Sequence, residues 1–158
     1  MSSANPSRPD RPRQHGHREH LRLDAQVCYS MHTAARAFDG LYRSLLAEHG
    51  LSYPQYIALM TVGEHGPHTV GALGERLRLD SGTLSPLLKR MEAAGSVARH
   101  RDPADERRVL VELTPDGHAR LDVLAEVPAT VARRSGLSRA EIAGLQRTLE
   151  SVTRALDA

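Results

Sequence analysis

Apolar residues recur every three or four positions along the first part of the chain, which is typical of one face of an amphipathic helix. The pattern predicts a long helix over about residues 22–48, ended by Gly50. A second helix is predicted to begin at Ser52 or Tyr53, with a proline in its first turn, and to end before Gly66.

Two short helices joined by a tight turn are predicted next, and this arrangement forms a helix-turn-helix. Thr69 is placed to cap the first, and the second follows a break at residues 78–82. The inward positions of the second helix are Leu84, Leu87, Leu88 and Met91. Pro86 conflicts with this helix, because a proline beyond the first turn removes a backbone hydrogen bond. The sequence leaves open whether the helix begins near Thr83 or is kinked.

After Gly95 the apolar pattern changes to a period of two over residues 97–101 and 109–113. The charged segment DPADER lies between these two runs and is rich in turn residues. Together they predict a β-hairpin. A hairpin directly after a helix-turn-helix makes a winged helix.

Further helices are predicted after the hairpin. Thr114 is placed to cap one that Pro128 interrupts, and Ser138 with Glu141 forms a capping box for a last helix that runs to about Leu156. The predicted fold is mainly α with a small β-hairpin wing, in the order α-α-α-α-β-β-α-α.

Composition narrows the class of protein. A length of 158 residues suits one domain, and 40% hydrophobic with 25% charged residues is ordinary for a globular chain. No apolar run is long enough for a transmembrane helix, and the N-terminus lacks the apolar stretch of a signal peptide. A single cysteine excludes a disulfide scaffold and a multi-thiolate metal site. We expect a cytoplasmic protein that makes no membrane contact, in which the thiol stays reduced.

Basic residues are concentrated near the start of the chain. The net charge is +2, while residues 1–22 carry five arginines against two acidic residues. For residues 1–20 we expect a disordered basic tail rather than a metal site built on the HGHREH segment. The other histidines have no metal-ligand spacing, and no catalytic triad, phosphate-binding loop or carboxylate pair is present. We expect no metal, no cofactor and no enzymatic activity.

The second helix of a helix-turn-helix is the element that enters the major groove of double-stranded DNA. Serine and threonine suit phosphates and mixed base edges, while lysine and arginine suit phosphates or guanine. The polar residues predicted on the outward side of this helix are Ser81, Thr83, Ser85, Lys89 and Arg90. The alternative is a solvated surface helix.

The predicted wing carries a second group of candidate DNA contacts. Asp105 lies two residues before Arg107 and can hold its guanidinium extended toward a narrow minor groove. Arg108 is expected to add a phosphate contact. The alternative is a solvated hairpin tip with a weak surface ion pair.

Several of these motifs resemble a known family. The stretch LRLDSGTLSPLLKRMEAAGSVARHRDPADERRVLVELTPDG resembles the helix-turn-helix and wing of MarR-type repressors, most clearly in the Asp105-x-Arg107 pair and the LTPDG that follows. Within that family, the segments LDAQVCYSMHTAAR and GLSYPQYIALMTVGEH resemble the organic-hydroperoxide sensors called OhrR. The resemblance covers about residues 21–156.

The resemblance implies a homodimer with one MarR-type domain over residues 21–156 of each subunit. The winged helix-turn-helix would occupy about residues 52–113, and dimerisation helices about 22–48 and 115–156. It also implies that Cys28 is the redox-sensing residue and that the partner subunit's copies of Tyr42 and Tyr53 hydrogen-bond its thiolate. Some OhrR proteins have a second, resolving cysteine, whereas this chain resembles the one-cysteine type.

The residues themselves also favour a reactive Cys28. It lies within the first two turns of the predicted helix, where the helix dipole favours a thiolate, and Arg22 is nearby in sequence. Tyr42 follows fourteen residues later, roughly 21 Å along the axis and close to four whole turns. A crossed partner helix could therefore bring one subunit's tyrosine to the other's thiol. The alternatives are a small buried cysteine and tyrosines that only pack, as we expect of Tyr29 and Tyr56.

These inferences predict a repressor that senses an organic hydroperoxide through Cys28 and then releases its operator DNA. A sulfenic acid at Cys28 would be resolved by a low-molecular-weight thiol or a backbone nitrogen, or would proceed to sulfinic acid. Two alternatives stay open. One is a MarR-type repressor released by a reversible phenolic ligand. The other is a thiol peroxidase, which the winged helix in the middle of the chain disfavours.

Overall fold

The structure, a computed structural model, describes residues 21–157. The predicted disordered tail at residues 1–20 lies outside the described residues. The chain divides into two compact units, Met1–Gly40 and Leu41–Ala158, and each is described by itself.

The first unit contains a 3-10 turn at Leu23–Ala25 and the greater part of helix α1 (Val27–Ala47). The predicted helix is thus wrong at its start, because Gln26 is extended (φ −91°, ψ 111°) and separates the turn from α1. Leu21 and Leu23 are 77% and 59% exposed, so no packing holds this segment in the helix. Cys28 is therefore the second residue of α1.

The second unit opens with the end of α1 and helix α2 (Tyr53–His65). Gly50 adopts a left-handed conformation (φ +64°), as the predicted end of α1 requires. Ser52 caps α2 in a capping box, in which its backbone N–H donates to Gln55 Oε1 at 2.8 Å. The start and end predicted for α2 are confirmed.

Helices α3 (Val70–Leu77) and α4 (Ser81–Ala93) form the predicted helix-turn-helix. The break between them covers only residues 78–80, so α4 begins at Ser81, two residues before Thr83, and Pro86 is its sixth residue. Since proline has no N–H, the Gly82 carbonyl receives no helical hydrogen bond from Pro86. All four predicted inward residues of α4 are buried.

A three-stranded antiparallel sheet follows the order β1-β3-β2, with β1 at His68–Thr69, β2 at Val97–Asp102 and β3 at Asp105–Leu113. The predicted hairpin is confirmed, but its turn is only residues 103–104, since β3 begins at Asp105 and pairs there with Asp102. Strand β1, paired with β3 through His68 and Val111, was not predicted. Two residues are too few to show a period of two.

The C-terminal region has three helices rather than two: α5 (Pro115–Val123), α6 (Val127–Ser135) and α7 (Arg139–Leu156). Pro128 marks the interruption, as predicted, and a 3-10 turn at Leu124–Glu126 separates α5 from α6. The capping box of Ser138 and Glu141 at the start of α7 is confirmed.

The core of the second unit is aliphatic, with Leu59, Leu73, Leu88 and Val111 fully buried and Tyr56 its one aromatic side chain. It joins α2, α3 and α4 to the sheet and thereby fixes which face of α4 points outward. Helix α7, by contrast, has no buried residue. None of the described helices is both long and apolar enough to cross a membrane.

Candidate functional site

Helix α4 presents the predicted polar residues to solvent. Ser81, Thr83, Ser85, Lys89 and Arg90 are all exposed. Burial of the leucines and Met91 on the opposite side sets this orientation. The outward face combines hydroxyl groups in the first turns with two cations further along, which is a suitable set for base edges and phosphates.

The first turn of α4 is fixed by Asp80. Its Oδ1 accepts the Thr83 backbone N–H at 3.0 Å, and its Oδ2 accepts the Thr83 hydroxyl at 2.9 Å. These hydrogen bonds lower the pKa of Asp80, the hydroxyl contributing most. Asp80 is therefore the N-cap and stays ionised at neutral pH. Asp80 was not among the DNA-contacting residues predicted from the sequence.

In the wing, Asp105 holds Arg107 as the spacing predicts. Asp105 Oδ1 accepts from Arg107 Nε at 3.1 Å and from the Arg107 backbone N–H at 3.2 Å. Arg108 Nε lies 3.4 Å from Asp105 Oδ2. The bonds from Arg107 are the main reason that the pKa of Asp105 is lowered. The Arg107 side chain is 92% exposed, so its guanidinium is both oriented and available to a ligand.

A surface groove joins the wing to the start of α3. It has a volume of about 670 Å³ and is lined by residues 69–72 and Glu75 on one side and by Arg107, Arg108 and Val109 on the other. The groove places the wing arginines beside the N-terminal turn of a helix, where both the guanidinium groups and the helix dipole favour anions. Nothing in the sequence pattern pointed to this pairing.

An ion pair joins the base of the wing to α4. Arg99 Nε donates to Glu92 Oε2 at 2.9 Å, and this bond is the main reason that the pKa of Glu92 is lowered. Arg99 is thus occupied within the protein. The pair is a direct side-chain contact between the base of the wing and α4.

Cys28 is exposed and makes no disulfide. Its position at the start of α1 places it where backbone N–H groups are unpaired within the helix. Arg22 is not free to pair with the Cys28 thiolate, because its guanidinium donates to both carboxylate oxygens of Asp24, at 3.1 and 2.8 Å. Among residues 21–157, no group of three or more metal-ligating side chains is present.

Tyr42 and Tyr53, predicted to donate hydrogen bonds to the thiolate, lie in the second unit and form one cluster with Tyr56. The rings of Tyr42 and Tyr53 are 4.6 Å apart, and the ring of Tyr56 lies 5.9 Å from Tyr42 and 6.4 Å from Tyr53. Burial raises the pKa of Tyr42, and it raises that of Tyr56 to about 12, with the neighbouring tyrosines adding to both. Tyr53 is 40% exposed, whereas Tyr56 is 1% exposed. A hydrogen bond from Tyr42 or Tyr53 to Cys28 stays a prediction.

Comparison with known proteins gives a consistent result. The MarR family model matches residues 49–108. The organic hydroperoxide resistance transcriptional regulator of Bacillus subtilis (strain 168) is 38% identical over 138 residues, which cover 87% of this chain and 94% of the relative. The HTH-type transcriptional regulator TtmR of Methylorubrum extorquens (strain PA1) is 45% identical over 130 residues, covering 82% and 67%.

Among solved structures, reduced AbfR bound to DNA is similar to this chain, with a TM-score of 0.73 and 33% identity over 90% of this chain and 99% of that one. The structural likeness includes the helix-turn-helix and the wing that the geometry identified. The chain has the winged helix of these proteins, and its transcriptional-regulator relatives align with it over most of its length. It therefore belongs to the MarR family of DNA-binding transcriptional regulators.

Proposed function

We propose that this protein is a cytoplasmic, homodimeric repressor that binds operator DNA when reduced and releases it when an organic hydroperoxide oxidises Cys28. The observation that carries the proposal is an exposed, unpaired thiol at the second position of a long helix. The 38% identity to the Bacillus subtilis regulator of organic hydroperoxide resistance supports it.

The first chemical step needs only the Cys28 thiolate and the peroxide. The Cys28 thiolate attacks one oxygen of the O–O bond, an S–O bond forms, and the second oxygen leaves with its alkyl group and takes up a proton to give an alcohol. Cys28 becomes a sulfenic acid. A low-molecular-weight thiol then displaces water from this sulfur and leaves a mixed disulfide, which is far bulkier than one added oxygen.

Exposed apolar side chains support the dimer. On α7 apolar residues recur at helical spacing on one face, where Leu145, Leu149 and Leu156 are exposed and Ile142 and Val152 are half-buried. Leu145 is 43% and Leu149 is 38% exposed. On α1, Val27 and Met31 are 69% and 38% exposed. Faces of this kind are buried in the partner when helices associate.

DNA binding is assigned to α4 and the wing. Helix α4 would lie in the major groove with its exposed polar face toward the bases. Arg107, oriented by Asp105, would enter the adjacent minor groove, and Arg108 would contact phosphate. Two subunits then bind half-sites about one helical turn apart.

Release would follow from the position of Cys28 on a helix proposed to form the dimer interface. Oxidation changes the charge and volume of the side chain there, and packed interfaces respond by adopting a second arrangement rather than by gradual deformation. A changed arrangement alters the spacing between the two α4 helices, so they no longer fit consecutive major grooves.

The test compares wild type with Cys28→Ser on a duplex selected from a random library by the reduced wild-type protein. Both should bind equally without oxidant, and an organic hydroperoxide with a small thiol should release only the wild type. Intact-mass spectrometry should show one thiol adduct per chain, reversed by reductant. Release of Cys28→Ser at the same dose would reject the sensor assignment. Release by a phenolic ligand alone, or sustained peroxide turnover with a thiol, would favour the alternative functions.

The tyrosines are tested by removing single hydroxyl groups. Tyr42→Phe and Tyr53→Phe should fold and bind DNA, but oxidation of Cys28 should be slower because each loses a hydrogen bond to the thiolate of the partner subunit. Tyr29→Phe is the matched control and should react at the wild-type rate. Equal oxidation rates in all three variants would remove Tyr42 and Tyr53 from the site.

A further inference from the structure

The hydroxyl of Thr83 is held in one hydrogen-bonding direction. It lies 2.9 Å from Asp80 Oδ2, while Asp80 Oδ1 accepts the Thr83 backbone N–H at 3.0 Å. An ionised carboxylate has no proton to donate, so in this pair the hydroxyl must be the donor. The pKa of Asp80 is lowered by these same bonds, and the carboxylate is therefore ionised at neutral pH.

A hydroxyl has one proton and two acceptor lone pairs. With its proton given to Asp80, Thr83 presents only acceptor capacity to the outside of α4. A phosphate oxygen is also only an acceptor, so the tethered hydroxyl cannot bind phosphate, and the nearby negative carboxylate further disfavours it. In the major groove the matching donors are the N6 amino group of adenine and the N4 amino group of cytosine.

The neighbouring hydroxyls differ. Ser81 and Ser85 are exposed on the same helix, and their side chains form no hydrogen bond with any residue between 21 and 157. Each keeps its proton and can donate to a phosphate or accept from a base. Of these three outward hydroxyls, only that of Thr83 already donates its proton within the protein, to Asp80.

We propose that Thr83 is a specificity-determining residue that accepts a hydrogen bond from an adenine or cytosine amino group in the major groove, and that Asp80 is the positioning residue that imposes this direction. The inference rests on the proposed role of α4 as the DNA-reading helix. It replaces the sequence-based expectation that Thr83 suits phosphates and base edges alike.

The first test is Thr83→Val, which keeps the side-chain shape and removes the hydroxyl. Binding is measured on the selected duplex and on the set of duplexes that carry each single base-pair change, over a range of salt concentrations. One base pair in each half-site should lose its preference, with roughly a fivefold to tenfold loss of affinity for the selected sequence. Affinity for unrelated DNA and the salt dependence should not change, because no phosphate contact is lost. Thr83→Ser should behave as wild type.

The second test reverses the hydrogen bond. In Asp80→Asn the side-chain oxygen still caps α4, since asparagine is as good an N-cap as aspartate. Its amide now donates to Thr83, whose proton becomes free. The preferred base at the same position should change from adenine or cytosine to thymine or guanine, which present acceptors. Thermal unfolding and circular dichroism establish that each variant is folded.

Two results would overturn the inference. One is that Thr83→Val weakens binding to all duplexes alike and flattens the salt dependence, which indicates a phosphate contact. The other is that it leaves every base preference intact. Lys89→Ala and Arg90→Ala separate this from failure of the proposed function: if they weaken binding while Thr83→Val does not, α4 binds DNA and only the role of Thr83 is wrong. If none of the three has an effect, α4 is not the reading helix.

Discussion

Gly117 shows at the scale of one residue how the end of the wing is joined to α5. Thr114 Oγ1 accepts the Gly117 backbone N–H at 3.0 Å and donates to the Gly95 carbonyl, which links the cap of α5 to the end of α4. A Cβ added to Gly117 would lie 2.0 Å from the Ser96 carbonyl oxygen. The LTPDG motif therefore has a structural reason at Thr114 and at Gly117.

Gly117→Ala should destabilise the protein, because the added methyl group forces backbone atoms of α5 and Ser96 apart. We expect the free energy of unfolding to fall by about 1–3 kcal/mol, measured by urea unfolding. Gly71→Ala is the matched control, since a Cβ there meets nothing within 4 Å. If both variants are as stable as wild type, the close approach at Ser96 does not restrict the fold.

Arg107 is the second residue whose role is set by one neighbour. Arg107→Ala should weaken binding to the selected duplex by about 1–3 kcal/mol, most strongly where the flanking sequence is rich in A·T pairs. Asp105→Asn keeps the Arg107 cation but removes its ion pair with residue 105, so the loss of affinity should be smaller. Arg134→Ala, another exposed arginine, serves as the control. Unchanged affinity for Arg107→Ala would show that the wing is only a solvated hairpin.

At the scale of elements, side-chain caps decide where most helices begin. Thr69, Asp80, Thr114 and Ser138 each accept a backbone N–H of the first turn of their helix. These residues were recognisable in the sequence because capping depends on residues three apart in the chain. The start of α1, at Val27 rather than near residue 22, is the one helix start that the apolar pattern misplaced by several residues.

The capping box of α7 should contribute to acid sensitivity. Glu141 Oε2 accepts from the Ser138 backbone N–H at 2.8 Å and from its hydroxyl at 2.6 Å, and these bonds lower the pKa of Glu141. The unfolded chain therefore takes up a proton here at a higher pH than the folded protein. The stabilisation is complete above the ordinary carboxyl pKa of about 4.3 and is lost as the pH falls through the lowered pKa.

Glu141→Gln retains an oxygen acceptor but cannot titrate in this range. The decline in the free energy of unfolding between about pH 5 and pH 3 should be shallower than in wild type, with little difference at pH 7. Ser138→Ala, which removes a donor to the carboxylate, should also flatten the decline. Acid profiles identical to wild type in both variants would exclude this contribution.

At the scale of the whole molecule, the second unit buries one aliphatic core and leaves α7 outside it. No residue of α7 is buried, although the helix has a continuous apolar face. A continuous apolar face favours association, and in the proposed dimer the partner subunit would bury it. The redox response and the reading of two half-sites proposed above would both depend on that association.

Leu149→Glu places a charge in the middle of the α7 apolar face and should raise the dimer dissociation constant by about tenfold or more. Light scattering after size exclusion, over a range of concentrations, measures the change. Ser151→Glu adds the same charge to the other side of α7 and should leave the dimer intact. A Leu149→Glu protein that remains dimeric at low concentration would place the interface elsewhere.

Features that depend on near neighbours in the chain were predictable from the amino-acid sequence alone. Helical and strand periods, capping residues, the hairpin and the outward face of α4 all follow from residues within one or two turns of each other. The Asp105–Arg107 pair was predictable for the same reason, since its members are two residues apart. The family resemblance added the candidate roles of Cys28, Tyr42 and Tyr53.

Contacts between separate elements could be identified only from the three-dimensional structure. The pairing of β1 with β3, the bond between Arg99 and Glu92, the groove between the wing and α3, and the addition of Tyr56 to the tyrosine cluster belong to this class. Such contacts arise when a shared core brings separate elements together, and no local period records which surfaces will meet. The hydrogen bond between Thr83 and Asp80 falls between these two classes. The two residues are near neighbours in sequence, but which of them donates was identifiable only from the geometry.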